Sequence, residues 1–141
     1  SAQADSEIRE NYIHHQVVNH YDDSLVYLDE ATQHYVVEGN VLCSTPRWWL
    51  KIWTSSIKNN RATNNFVDHP DAVWNDGVDN VVEKNVLLTE SIPERARRTA
   101  ARAGIAPRYR ERHGVPAPPS IDDVRDPDYA GEPPLGPPWT P

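Results

Sequence analysis

The chain has 141 residues, a formal net charge of −7, 38 % hydrophobic and 25 % charged residues, and a mean hydropathy of −0.73. That length suffices for one domain and is short for two full cores. No apolar run of about 18 residues exists to span a membrane, and the single cysteine, Cys43, excludes an internal disulfide framework.

The first elements in chain order belong to an internal repeat. Glu7-Ile-Arg-Glu-Asn-Tyr-Ile13 is followed by Val36-Val-Glu-Gly-Asn-Val-Leu42, Arg61-Ala-Thr-Asn-Asn-Phe-Val67 and Val81-Val-Glu-Lys-Asn-Val-Leu87; the second and fourth copies differ only in Gly39 against Lys84. Aligned on Asn11, Asn40, Asn65 and Asn85, the copies stand 29, 25 and 20 residues apart, the length of a solenoid coil. Three positions before the asparagine stand Ile8, Val37, Ala62 and Val82, and two after it Ile13, Leu42, Val67 and Leu87, all apolar; between them Arg9, Glu38, Thr63 and Glu83 are polar. This alternation predicts strands. The asparagines are expected to take the left-handed backbone of a tight bend and to bond to the equivalent side chains above and below. The predicted fold is all-β, a right-handed parallel β-helix of about four coils over residues 1–91. A β-sandwich is the rival and would require two-residue hairpin turns that the connections lack.

Ser91-Ile-Pro-Glu94 reads as a capping box opening a helix that runs to about Ala103 and stops at Gly104. This helix is expected to cap the last coil, residues 92–113 forming the cap and a following turn. Charge is segregated along the chain: residues 1–91 carry −8, residues 92–113 carry +5 with seven arginines, and residues 114–141 carry −4 with nine of the thirteen prolines. The last segment predicts an acidic, proline-rich tail, extended or disordered, with Tyr129 and Trp139 as anchors if it docks. The arginine patch has no accompanying nucleic-acid motif, and pairing with the acidic tail or coil edges accounts for it more simply.

The run Asn11-Tyr-Ile-His-His15, then Val26-Tyr-Leu-Asp-Glu30, the asparagine coils, Pro93-Glu-Arg-Ala-Arg-Arg98 and Ala103-Gly-Ile-Ala-Pro-Arg-Tyr-Arg110 resembles the C-terminal part of secreted right-handed parallel β-helix proteins of the pectate-lyase-like superfamily. The resemblance covers roughly residues 6–112. It implies a secreted protein with a carbohydrate lying along one parallel sheet, and leaves open hydrolase, lyase or adhesin.

The densest ionisable set is His14, His15, His20, Asp22, Asp23, Asp29, Glu30 and His34. Glycoside cleavage commonly needs two carboxyl groups; Asp29 with Asp22 or Asp23 would supply them, and Asp29 or Glu30 is the expected acid. The competing assignment makes Asp22-Asp23-Ser24 and Glu30-Ala-Thr32 turn residues. For a lyase, His15, Tyr27, Lys51 and Arg47 would supply the base and the carboxylate partner, with calcium as cofactor; a hydrolase needs none. The acidic balance favours a neutral glycan and a hydrolase. Adjacent histidines on a strand face opposite sides, so His14 and His15 are not expected to share an ion. On Trp48-Trp-Leu-Lys-Ile-Trp53, alternation places Trp49, Lys51 and Trp53 on one face, a sugar-stacking platform, with core filling as the alternative; Tyr27 and His14 are the other expected substrate-binding residues. Trp74 and Asn75-Asp-Gly77 mark a turn bordering the groove. Cys43 is expected to be a small buried residue.

The expected function is part of a carbohydrate-active β-helix enzyme, a glycoside hydrolase, with a polysaccharide lyase or a non-catalytic glycan-binding subunit as alternatives. The chain begins at Ser1 and contains no methionine, and nothing before Ser6 would cover the first coil. An N-terminal solenoid segment or chain from the same precursor is therefore the expected partner, with neither nucleic acid nor membrane.

Overall fold

The computed structural model describes residues 6–15, 24–45, 47–88 and 91–124. Its strands are β1 (Glu7–Arg9), β2 (Tyr12–His14), β3 (Ser24–Leu28), β4 (Val36–Glu38), β5 (Val41–Cys43), β6 (Trp48–Ile52), β7 (Arg61–Thr63), β8 (Phe66–Val67), β9 (Val73–Asn75), β10 (Val81–Glu83) and β11 (Val86–Leu87). The helices are α1 (Glu94–Arg102), α2 (Pro107–His113) and α3 (Ile121–Val124). The strands form three sheets, ordered β1-β4-β7-β10, β2-β5-β8-β11 and β3-β6-β9. Every pairing is parallel, which removes the hairpin-built sandwich. The arrangement is compatible with a parallel β-helix.

Register follows the repeat. Ile8, Val37, Ala62 and Val82 stack in the first sheet, and Ile13, Leu42, Val67 and Leu87 in the second. Val37, Leu42 and Val67 are fully buried and meet Val26, Leu28, Leu50 and Ile52 of the third sheet in one core. Successive side chains on a strand point to opposite faces, so this single apolar column per strand fixes which face turns inward.

The asparagines form the expected ladder. Asn11 Nδ2 donates to Asn40 Oδ1 at 3.0 Å, Asn40 Nδ2 to Asn65 Oδ1 at 2.9 Å, and Asn65 Nδ2 to Asn85 Oδ1 at 3.0 Å. Each donor residue also sends its backbone N–H to the same oxygen. The left-handed bend is made one residue earlier than expected, by Glu10, Gly39, Asn64 and Lys84 at φ 51, 68, 56 and 57°. The asparagine column is therefore selected by hydrogen bonding, since its own backbone needs no special conformation. A second column, which the repeat alignment did not reveal, lies five residues earlier. Tyr35 N–H donates to Asn60 Oδ1, and Asn60 donates through N–H and Nδ2 to Asn80 Oδ1. Here too the preceding residues, His34, Asn59 and Asp79, have positive φ.

The helical segment departs from expectation in three ways. Ser91 makes no cap, because Pro93 holds the N-cap position without a side-chain hydrogen bond. The helix lies against the outer face of the second sheet: Ile92, Ala96 and Ala100 pack on Val41, Cys43 and Phe66, the outward neighbours of Leu42 and Val67. It is thus a lateral cover of that sheet, while Val81, Val86 and Leu87 of the last strands are 38 %, 40 % and 45 % exposed. The region beyond residue 114 is in part helical: α3 buries Ile121 and Val124 in the same cluster, the Ser44 hydroxyl donates to the Val124 carbonyl, and Arg97 grips Asp122 with both terminal guanidinium nitrogens. Tyr129 and Trp139 lie outside the described residues. No helix among the described residues is long and apolar enough to cross a membrane.

Candidate functional site

The third sheet carries Tyr27, Trp48, Trp49 and Trp74. Val26 and Leu28 on β3, and Leu50 and Ile52 on β6, point into the core, so alternation sends Tyr27 and Lys51 to the other face. The register aligns Tyr27 with Lys51 and Lys51 with Trp74. The Lys51 ammonium lies 5.2 Å from the Tyr27 ring centroid and 4.9 Å from that of Trp74, within cation–π range of both. Trp48 extends the group, its ring 6.1 Å from Trp74. A cation and two rings are thereby fixed in one line across three strands.

Two carboxylates border this line. Asp29, two residues after Tyr27, accepts from the Tyr27 hydroxyl at 3.3 Å, and Asp76, two residues after Trp74, accepts from the indole Nε1 at 2.7 Å. Both are exposed. Continuing the register of Leu28, Ile52 and Asn75 by one residue places Asp29, Trp53 and Asp76 in a row. Asp29 has a turn role as well, since its carboxylate accepts the Glu30 N–H at 2.8 Å and its carbonyl accepts from Thr32 N–H and Oγ1. Glu30 is exposed on that turn. Asp22 and Asp23, the expected partners of Asp29, lie outside the described residues.

The platform expected from Trp49, Lys51 and Trp53 is not the one formed. Trp49 is wholly buried in the core, its indole donating to the Pro70 carbonyl and its N–H to that of Ala72. The turn leading into β9 closes over it, and it is Trp48 that meets the outer group. Trp53 is half-buried against the core. Of the expected binding residues, Tyr27 and Lys51 are the two that meet on the outer face, without Trp49 and Trp53. Trp74, expected only as a border residue, is central because parallel register with Lys51 brings it there, and that register depends on loop lengths that vary from copy to copy.

His14 and His15 are brought together. His15 has φ 53°, and this bend turns its ring so that the two Nδ1 atoms stand 2.7 Å apart. The His14 ring also packs on Tyr12, centroids 4.4 Å apart. Desolvation and, secondarily, the His15 charge hold the His14 pKa below its ordinary value. Both histidines follow or end a strand of the second sheet, whereas Tyr27 and Lys51 belong to the third. No group of three His, Cys, Asp or Glu side chains suited to a metal ion occurs among the described residues. Below α1, burial first and the nearby Asp68 second push the Cys43 thiol up to about 12, and Cys43 is fully buried.

No protein-family model matches the chain, and neither a curated protein nor a solved structure matches it.

Proposed function

We propose that this chain is part of a carbohydrate-active right-handed parallel β-helix of about four coils, related to the pectate-lyase-like proteins and secreted. Its glycan lies across β3, β6 and β9. The observation that carries this reading is the Tyr27, Lys51 and Trp74 line, three strands long, bordered by the acceptors Asp29 and Asp76. Aromatic rings offer apolar surface with polar edges, and carboxylates accept hydrogen bonds from sugar hydroxyls. The charge of −8 on residues 1–91 favours a neutral glycan over a polyuronate.

Hydrolysis is the second reading, supported by the placement of Asp29 and Asp76. The two carboxylates flank the same line of side chains, Asp29 after β3 and Asp76 after β9, and glycoside cleavage commonly uses such a pair. The test is a panel of neutral glycans assayed for binding and for reducing-end release. Tyr27→Ala and Trp74→Ala should abolish binding, and Asp29→Asn and Asp76→Asn should abolish turnover with binding retained. Binding untouched by both aromatic substitutions would sink the glycan reading. Products absorbing as unsaturated uronates would replace hydrolase by lyase.

A further inference from the structure

The two ends of the asparagine ladder are complementary. Between Asn11 and Asn85 each rung donates its N–H and Nδ2–H to the Oδ1 of the next, while each following strand returns an N–H to the carbonyl of the rung before: Val41 to Asn11, Phe66 to Asn40, Val86 to Asn65. Among the described residues, no donor reaches Asn11 Oδ1, and no asparagine stands beyond Asn85 to accept its N–H. One end thus offers the acceptor that the other end's donors require.

The outward columns repeat this relation in charge. Arg9, Glu38, Thr63 and Glu83 stack in register, with Arg9 paired to Glu38 at 2.7 Å. One residue on, the bend positions are Glu10, Gly39, Asn64 and Lys84. Continuing the stack past β10 onto a second β1 sets Glu83 against Arg9 and Lys84 against Glu10, opposite signs at both positions. The same continuation covers the exposed Val86 and Leu87 with Tyr12 and Ile13. α1 lies on the flank of the second sheet, with Arg95 close to Gly39 and Glu10.

We propose that copies of this chain stack head to tail, β10 and β11 of one copy pairing in parallel with β1 and β2 of the next, with Asn85 donating to Asn11 Oδ1 and Lys84 facing Glu10. The interface is heterologous and each added copy presents the same end, so association grows as an open rod. This proposal is independent of the glycan reading.

Sedimentation velocity of the full chain over rising concentration tests it, with circular dichroism as the control for folding. The chain should pass through species larger than a dimer as concentration rises. Lys84→Glu and Glu10→Lys should each weaken association by at least about tenfold, and the double swap should restore it. Leu87→Asp should leave a folded monomer. A chain monomeric at every concentration overturns the proposal, as do a closed dimer, single swaps without effect, or an end that accepts only a separate N-terminal solenoid segment.

Discussion

Asn40 donates both its backbone N–H and its Nδ2–H to one oxygen, Asn65 Oδ1, at 3.1 and 2.9 Å, and Asn65 in turn donates to the Val37 carbonyl and to Asn85 Oδ1. Both residues are fully buried. Asn65→Ala strands two donors on Asn40 and removes the side-chain donor shared by the Val37 and Thr63 carbonyls and Asn85 Oδ1, and each buried polar group left unmade costs about 1–3 kcal/mol. A loss of about 3 kcal/mol or more in urea unfolding is expected. Asn11→Ala, at the exposed end of the same ladder, should cost less than about 1 kcal/mol, because water replaces what is lost. Equal costs at the two positions would show that the ladder does not act through burial.

Gly77 supports the second ladder through absence of bulk. A Cβ at this position would meet the Asn80 amide nitrogen in hard overlap and stand 2.5 Å from the Ile57 carbonyl oxygen, and that oxygen is the acceptor for Asn80 Nδ2 at 3.0 Å. The backbone oxygen cannot swing aside as a flexible side chain would. Gly77→Ala should therefore destabilise by about 2–4 kcal/mol, whereas Gly104→Ala, with open space around it but φ 77°, should cost only about 1–2 kcal/mol of backbone strain. Equal stabilities of the two variants would remove the steric argument.

The sheets were legible in the sequence because the apolar columns and the asparagine share one register that the chain repeats with little change. Ile8, Val37, Ala62 and Val82 needed only spacing to be aligned. The third sheet was less legible, since β3, β6 and β9 have no common motif and their register emerges from three different connections. That is why Trp74 was left at the border and Trp49 was left open between a platform and core filling: alternation describes a strand's faces, but the Pro70 and Ala72 turn that covers Trp49 comes from elsewhere in the chain. The placement of α1 was obscured for a similar reason. The helix packs through Ile92, Ala96 and Ala100, and its counterpart, Val41, Cys43 and Phe66, sits on the side of the strands that alternation assigns to solvent.

Trp49 and Trp74 should separate stability from binding. Trp49→Ala opens a cavity in the core and should cost about 3–5 kcal/mol. Trp74→Ala removes one cation–π partner of the buried Lys51, worth about 2 kcal/mol where desolvated, so it should abolish glycan binding at a smaller cost in Tm than Trp49→Ala. Thermal unfolding and glycan affinity measured on both variants check this; a Trp74→Ala protein as unstable as Trp49→Ala would make the outer aromatic group structural.

Cys43 reports on the seam between α1 and the second sheet. Its thiol is buried beneath Ala96 and Ala100 and pushed up to about 12, so the nucleophilic thiolate is scarce at neutral pH. Labelling by a disulfide-exchange reagent should be slow in the native state and accelerate with urea in step with global unfolding. Rapid native labelling would mean that α1 opens independently of the sheets.

The His14 and His15 contact sets a direction for pH dependence. Two Nδ1 atoms 2.7 Å apart require one to donate and the other to offer a lone pair, so the pair tolerates at most one protonated ring. Burial of His14 acts in the same sense, lowering its pKa from the ordinary 6.5. In the unfolded chain His14 keeps the ordinary value and takes up its proton first, so below pH about 6.5 the unfolded state binds more protons and stability falls as pH falls. Above that value the contribution is fully present, and below the lowered folded pKa it is wholly lost. Chemical denaturation between pH 8 and pH 5 should show this decline in the parent chain, and His14→Gln should flatten it by removing the titrating ring while keeping a polar side chain. An identical pH slope in the variant would assign the decline to other groups.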